Sequence, residues 1–230
     1  MAYTATQAFN FAQALIKYMP LTDPNVQVPV LDMAAKQLWM AAPWRWTLGS
    51  FPVTTLGTGP STAVATLPAD FLYMETAYVY DGSKLLQVDI VPLITGDATT
   101  MSGNPYQIAI TGTAGGAGTI QIYPLPAGGT FKLYAMYKKL HPAITSGNMG
   151  SNTPGLPPDE WFSVYVEAVL YWAYKYADYD RMGTATVASN GQVQYSGQLG
   201  TLIAALNDMR LAEKLPLGAP WLKQNVQAKG

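Results

Sequence analysis

Four glycines fall within the seven positions 112–118, "GTAGGAG", and a cluster of that kind is what a phosphate-cradling loop is made from. A Walker-type loop also requires a lysine directly after its last glycine, to neutralise phosphate charge, and no lysine lies between Lys84 and Lys132. A dinucleotide fingerprint needs a helix after the glycines so that the helix N-terminus can hold the pyrophosphate. Here the residues that follow, "TIQIYPL", alternate apolar and polar as a strand does. The cluster therefore reads as a hairpin loop. The other chemistry-bearing residues are sparse. His141 is the only histidine and there is no cysteine, which removes disulfides, thiolate metal sites and cysteine nucleophiles and leaves a Ser-His-Asp site without a visible setting. A zinc site would have to be assembled from carboxylates. Paired carboxylates for glycan hydrolysis could come from any two of the 14 acids, but each has a structural role in view. Asp159 and Glu160 open a helix, where negative charge complements the dipole; Asp70 belongs to a turn and Asp81 to a hairpin; Glu167 can pair with a helix neighbour. No cofactor, metal or catalytic residue is expected.

Composition points the same way. Only 12% of the 230 residues are charged, about half the usual quarter, while 49% are apolar. The surface must then be covered by Ser, Thr, Gln, Asn and Gly, which suits contact with other protein. With 13 basic and 14 acidic side chains no basic field exists to grip nucleic acid. The first residues lack the basic start and apolar run of a secretory signal, and the most apolar stretch, "WFSVYVEAVLYWAYKYADYD", is interrupted by Glu167 and Lys175, so no membrane span is expected.

The elements that would position these residues run helix, strand, helix. Thr4 and Gln7 form a capping-box pair, and Ala8, Phe11, Leu15 and Tyr18 recur at helical spacing, which predicts a helix over 4–18. Prolines 20, 24 and 29 stop it and place Pro29 in the first turn of the next helix, whose buried stripe is Leu31, Ala34, Ala35, Leu38, Trp39 and Ala42. Trp44 and Trp46 follow, as core or as contact surface. From 48 to 140 the pattern alternates. Asp81-Gly82 suits a hairpin turn, and 106–110, 119–125 and 130–140 read as further strands, so an antiparallel sheet is expected. No charged residue occurs between Ala98 and Phe131, consistent with a compact meander or with a surface that lies against neighbouring subunits. A Gly/Pro/Asn-rich loop, "TSGNMGSNTPGLPP", leads to a helix over 158–180 with two apolar stripes, Trp161, Tyr165, Ala168, Trp172, Tyr176 and Phe162, Val166, Val169, Ala173; such a helix is packed on two sides. Residues 181–197 have no clear period. Leu199, Leu202, Ile203, Leu206 and Met209 return to helical spacing.

The expected fold class is α+β. A helical bundle is built from 1–47 and 156–214, with an inserted antiparallel β-rich region at 48–155 and an extended C-terminal arm at 215–230. The arm, "LPLGAPWLKQNVQAKG", has two prolines, no acid and one large anchor, Trp221. Pro216, Leu217, Pro220, Trp221, Leu222 and Lys223 are its candidate partner-binding residues, either as a docking arm or as a strap on its own domain.

The order "APWRW", "LPADFLYMETAYVYDGSKL", "IQIYPLPAGGTFKLYAMYKKL" and "LPPDEWFSVYVEAVLYWAYKYADYD" resembles the head-to-tail adaptor, or tail tubular protein A-like connector, proteins of short-tailed bacteriophages. The resemblance covers most of residues 1–215. It implies a virion structural protein that forms a ring, typically of twelve subunits, between the portal protein and the tail nozzle protein, with genomic DNA passing through the centre without tight binding. It also implies that the C-terminal arm reaches the portal. The long uncharged β region and the stretch 181–197 depart from that family's pattern. A glycan-binding or glycan-hydrolysing tail component, or another tail-completion or nozzle protein, is the alternative; the former would show an aromatic-floored groove with two carboxylates.

Overall fold

A computed structural model describes residues 3–16, 23–56, 63–92, 94, 101–112, 114–126, 131–151, 153–177 and 179–215. The helices are α1 (Ala5–Leu15), α2 (Pro24–Ala41), α3 (Phe162–Ala177), α4 (Tyr179–Met182) and α5 (Gly197–Ala212). The strands are β1 (Leu48–Ser50), β2 (Thr54–Thr55), β3 (Ala63–Thr66), β4 (Phe71–Tyr80), β5 (Leu85–Ile90), β6 (Ser102–Gly103), β7 (Gln107–Thr111), β8 (Ala117–Tyr123), β9 (Leu125–Pro126), β10 (Lys132–Lys139), β11 (Ala185–Val187) and β12 (Val193–Tyr195). The fold is α+β, as expected. Two compact units divide the chain, Met1–Trp46 with His141–Gly230, and Thr47–Leu140.

In the helical unit, α1 begins with the capping box read from the sequence. Thr4 Oγ1 accepts from the Gln7 amide at 3.2 Å, and Gln7 Oε1 accepts from the Thr4 amide at 2.8 Å. Its buried face is Ala5, Ala8, Phe9 and Ala12, whereas Phe11 and Leu15 are exposed. That corrects the expected stripe. Both sets satisfy helical spacing, but the alanine-rich face lets α1 approach α3 closely. Tyr18 lies outside the described residues.

Helix α2 starts five residues earlier than expected. The Asp23 carboxylate accepts from the Asn25 amide at 2.9 Å and Pro24 takes the first helical position, so Pro29 falls inside the helix and not in its first turn. Its far end has no glycine cap. Instead the Trp44 indole N–H donates to the Leu38 carbonyl at 2.6 Å, and the buried Arg210 guanidinium of α5 donates to the Ala41 carbonyl. Two of the four carbonyls a helix leaves unpaired at its C-terminus are thus satisfied by side chains from outside it. Nothing in the local sequence marks Arg210 as a buried residue among apolar neighbours.

Helix α3 packs against α1, α2 and α5, and its buried residues include both expected stripes except at their ends. Tyr176 is 65% exposed and Trp172 half-buried. The Tyr165 hydroxyl donates to the Leu31 carbonyl at 3.1 Å, and Gln198 on α5 donates to Glu167 on α3, so the partner of Glu167 comes from a neighbouring helix. Between α4 and α5 the unpatterned stretch 181–197 holds the β11–β12 hairpin, whose residues are mostly exposed. All five apolar residues expected on α5 are buried.

Residues 141–155 also pack on the helical side. Ile144 is buried in that core and its amide donates to Asp32 at 2.8 Å, while Thr6 donates to the Met149 carbonyl.

The β unit pairs in the order β1-β10-β4-β5-β7-β8-β3, with β2 also on β10. It is not a sequential meander, because β10 returns between β1 and β4. Most pairs are antiparallel, but β5–β7 and β6–β9 are parallel. The β4–β5 hairpin turns where Asp81-Gly82 predicts: Gly82 has φ +99°, and the Asp81 carboxylate accepts from the Ser83 and Lys84 amides at 2.8 and 2.9 Å. Those hydrogen bonds hold its carboxyl down at about 2. The glycine cluster connects β7 to β8, with Thr111 opposite Thr119, which is the hairpin loop expected from the sequence. The uncharged run supplies core as well as surface, since Ile108, Ala109, Ile120 and Ile122 are buried.

Lys138 is the buried cation of this unit. It is 1% exposed, and its ammonium donates to Thr47 Oγ1 at 2.6 Å. Burial pushes its pKa down to about 8 from the usual 10.5, against the pull of Glu75. Below about pH 8 both folded and unfolded chains carry the proton. Between that value and 10.5 the unfolded chain binds more protons than the folded one, so stability rises with pH across the window. The unfolding of this unit can be followed at the methyl signals of Leu133 and Val79, both buried in its core. Their urea midpoint should increase between about pH 7.5 and about pH 9.5, and Lys138→Met should flatten that increase.

Candidate functional site

The six residues that the sequence offers as a docking arm, Pro216, Leu217, Pro220, Trp221, Leu222 and Lys223, lie outside the described residues, which end at Leu215. What the described residues do place is the surface from which that segment departs. Leu215 packs against the helical core and its amide donates to the Arg210 carbonyl at 2.7 Å. Two residues before it, Glu213 lies 3.8 Å from the Arg45 guanidinium.

Arg45 directly precedes Trp46, and Trp46 walls a cleft of about 360 Å³ in the helical unit. Tyr3, Trp39, Thr153, Pro157 and Asp159 contribute to the same cleft. Tyr3 is fixed by several contacts at once. Its hydroxyl donates to the Pro157 carbonyl at 3.0 Å, its amide lies 3.3 Å from Asp159 Oδ1, and its ring meets Phe162 edge-on at 4.5 Å. Burial, with Asp159 nearby, raises the Tyr3 hydroxyl well above its ordinary pKa, so it stays a hydrogen-bond donor at any physiological pH. Trp39 and Trp46 meet edge-to-face at 5.2 Å. The Trp46 indole nitrogen is buried and has no hydrogen-bond acceptor among the described residues. Of the two tryptophans left open by the sequence, Trp44 is core, fully buried, and Trp46 is cleft wall.

His141 sits behind this wall. Trp39 covers it edge-on at 5.3 Å, and its Nδ1 lies 3.8 Å from Asp32. Burial lowers its pKa more than Asp32 raises it, so the imidazole is neutral at pH 7 and the Asp32 contact is not an ion pair there. Its place is one of packing. Among the described residues the cleft lining carries a single carboxylate, Asp159, whereas glycoside hydrolysis uses two. Among the described residues no group of three His, Asp or Glu is arranged to hold a metal ion, and no helix is long and apolar enough to cross a membrane.

A second, more apolar cleft of about 290 Å³ opens between α2 and α3, lined by Pro29, Val30, Met33, Trp172, Lys175 and Tyr176. The Lys175 ammonium lies 4.3 Å from the Trp172 ring centroid, and the Trp172 indole donates to Gln37 at 2.6 Å. In the β unit, one face of β4, β5 and β10 is exposed and aromatic. Tyr78 stands opposite Tyr134, Tyr80 opposite Leu85 and Thr76 opposite Met136. Tyr78, Tyr134, Met136 and Leu85 are all exposed. The surface is thus one of aromatic and apolar side chains on regular elements, suited to contact with protein. Over residues 7–218 the sequence matches the SU10 adaptor proteins.

The chain belongs to the SU10 adaptor protein family.

The family is one of structural phage adaptor proteins, and membership implies a virion component that interacts with other phage head and tail proteins. No curated protein matches it. The family match runs through both units. Sequence reasoning misses the aromatic cleft because its walls are more than a hundred positions apart along the chain. Only the "PWRW" tryptophans hint at it.

Proposed function

We propose that the adaptor assembles as a closed ring, of twelve subunits as in the short-tailed phage connectors it resembles, between the portal and the tail nozzle, with the genome passing through its centre. The family match over residues 7–218 is the observation that carries this reading. An ion-poor chain of net charge -1 supports it, since a strongly basic lining would retain DNA through counterion release. So do the exposed Tyr78–Tyr134 and Leu85 face and the clefts of the helical unit, which supply material for heterologous contacts that close into a ring. Residues 216–223 are the portal-docking arm in this proposal, with Trp221 as its anchor.

Electron microscopy and co-sedimentation with portal particles test it. The full chain should form rings on portals, and a chain ending at Leu215 should stay folded and no longer co-sediment. Unchanged co-sedimentation of the shortened chain would reject the arm, and portals without rings would reject the adaptor position itself.

A further inference from the structure

The geometry points to an acid-sensitive latch in the helical unit: neutral His141 keeps the segment from His141 to Pro157 closed on α1 and α2, and a proton on its imidazole loosens that segment. The latch does not depend on the ring or on the arm, and its test uses the purified chain alone.

Three observations carry it. The first is burial. The His141 side chain is 4% exposed, Trp39 covers its ring, and its Nε2 is a buried atom with no hydrogen-bond partner among the described residues. Nε2 lies so close to the Gly155 backbone that a Cβ on that glycine would come within 2.8 Å of it, at a residue whose φ is +75°. The imidazole is thus wedged between α2 and the far end of its own segment. The second is Asp32. Its Oδ1 accepts from the Ile144 amide at 2.8 Å and lies 3.8 Å from His141 Nδ1, too far for a hydrogen bond. An imidazolium would compete with Ile144 for that oxygen. The third is what the segment ties together. Ile144 is buried in the helical core, the Met149 carbonyl accepts from the Thr6 amide and hydroxyl of α1 at 3.0 Å, and the Pro157 carbonyl accepts from the Tyr3 hydroxyl.

The charged groups that face His141 are Asp32 and Lys36, both on α2, and its own segment presents the Gly155 backbone. Burial is the largest influence and opposes the imidazolium, as does Lys36, while Asp32 and the Gly155 backbone favour it. The folded imidazole therefore takes up its proton below the usual 6.5. Between 6.5 and that lower value the unfolded chain binds more protons than the folded one, so stability is complete above the window and falls with pH through it. Each pH unit of the window shifts the equilibrium by up to about tenfold. The smallest relief is local, an opening of the segment that lets the imidazolium reach water.

His141 is the only histidine, so its imidazole proton signals identify themselves in a nuclear magnetic resonance titration of the full chain. They should titrate below 6.5. The opening of the Ile144 amide, read as its hydrogen-exchange rate divided by the intrinsic rate at each pH, should rise by up to about tenfold per pH unit between about pH 6.5 and the imidazole midpoint. The Val79 amide, in the core of the β unit, should show no such rise. His141→Phe keeps a ring against Trp39 but takes no proton, and should level the Ile144 response. Where that variant does not fold, the titration of the unaltered chain decides. Imidazole signals that titrate at or above 6.5 would overturn the inference. So would an Ile144 opening that stays level through the imidazole titration, or one that Val79 matches.

Discussion

Replacing Trp44 with alanine will remove about 3–5 kcal/mol from the stability of the helical unit. Trp44 is 0% exposed, so truncation opens a cavity the size of an indole in a core that includes Leu31, Ala35 and Leu38. It also withdraws the donor that pairs the Leu38 carbonyl at 2.6 Å, leaving a buried helix-end acceptor unpaired. Those losses fall on an element without a glycine cap, where the Arg210 guanidinium satisfies another terminal carbonyl, that of Ala41. Trp44→Phe separates the two contributions: most packing is retained, and the loss should shrink to about 1–3 kcal/mol. The five described tryptophans, 39, 44, 46, 161 and 172, all belong to the helical unit, so the urea midpoint followed by tryptophan fluorescence reads this unit without the β unit. A midpoint for Trp44→Ala within error of the parent would refute the capping account.

Gly183→Ala should cost about as much, through backbone geometry and not through a cavity. Gly183 has φ +84°, and a Cβ there would lie 1.8 Å from the Ser196 carbonyl oxygen, a position no neighbour can vacate without moving the main chain. Gly197, at φ +57°, packs back against it, and a Cβ on that residue would lie 2.7 Å from the Gly183 Cα. Two glycines thus let the ends of the 184–196 excursion meet. The hydrogen bonds between Thr184 and Ser196, at 3.0 and 3.1 Å, depend on the approach. Helix α5 begins at Gly197, so separating the pair shifts Leu202, Leu206 and Met209 out of the helical core. A loss of more than about 3 kcal/mol is expected. Gly191→Ala is the control. It has φ +78° but nothing within 4 Å of its Cβ, so it should cost only about 1–2 kcal/mol for the left-handed conformation. Equal urea midpoints for the two variants would show that close approach is not what Gly183 provides.

Local signals are the legible part of this sequence. The Thr4–Gln7 box, the Asp81-Gly82 turn, the glycine-loop hairpin and the α5 stripe each depend on residues within a few positions of one another, and each is observed. Expectation and structure part where two local solutions compete. Either of two stripes suits α1, and only the closeness of α3 selects the alanine face; either Pro24 or Pro29 can open α2, and the Asp23 cap selects Pro24. Illegible from sequence is whatever depends on distant partners. The parallel β5–β7 pair, Arg210 on Ala41, Lys138 on Thr47 and the meeting of Tyr3, Trp46 and Pro157 all join residues far apart in the chain, with no periodicity to announce them. Trp221 is visible as an isolated aromatic among prolines, but the aromatic cleft of the helical unit is not.

The pairing of β1 with β10 sets Leu48 directly opposite Lys138, so the β unit enters and leaves through neighbouring strands. A gap of about 5 Å is what a tight turn bridges. Some ninety residues, Thr47–Leu140, thus begin and end on neighbouring strands of their own sheet, the arrangement of an insertion that interrupts the helical chain at a single point.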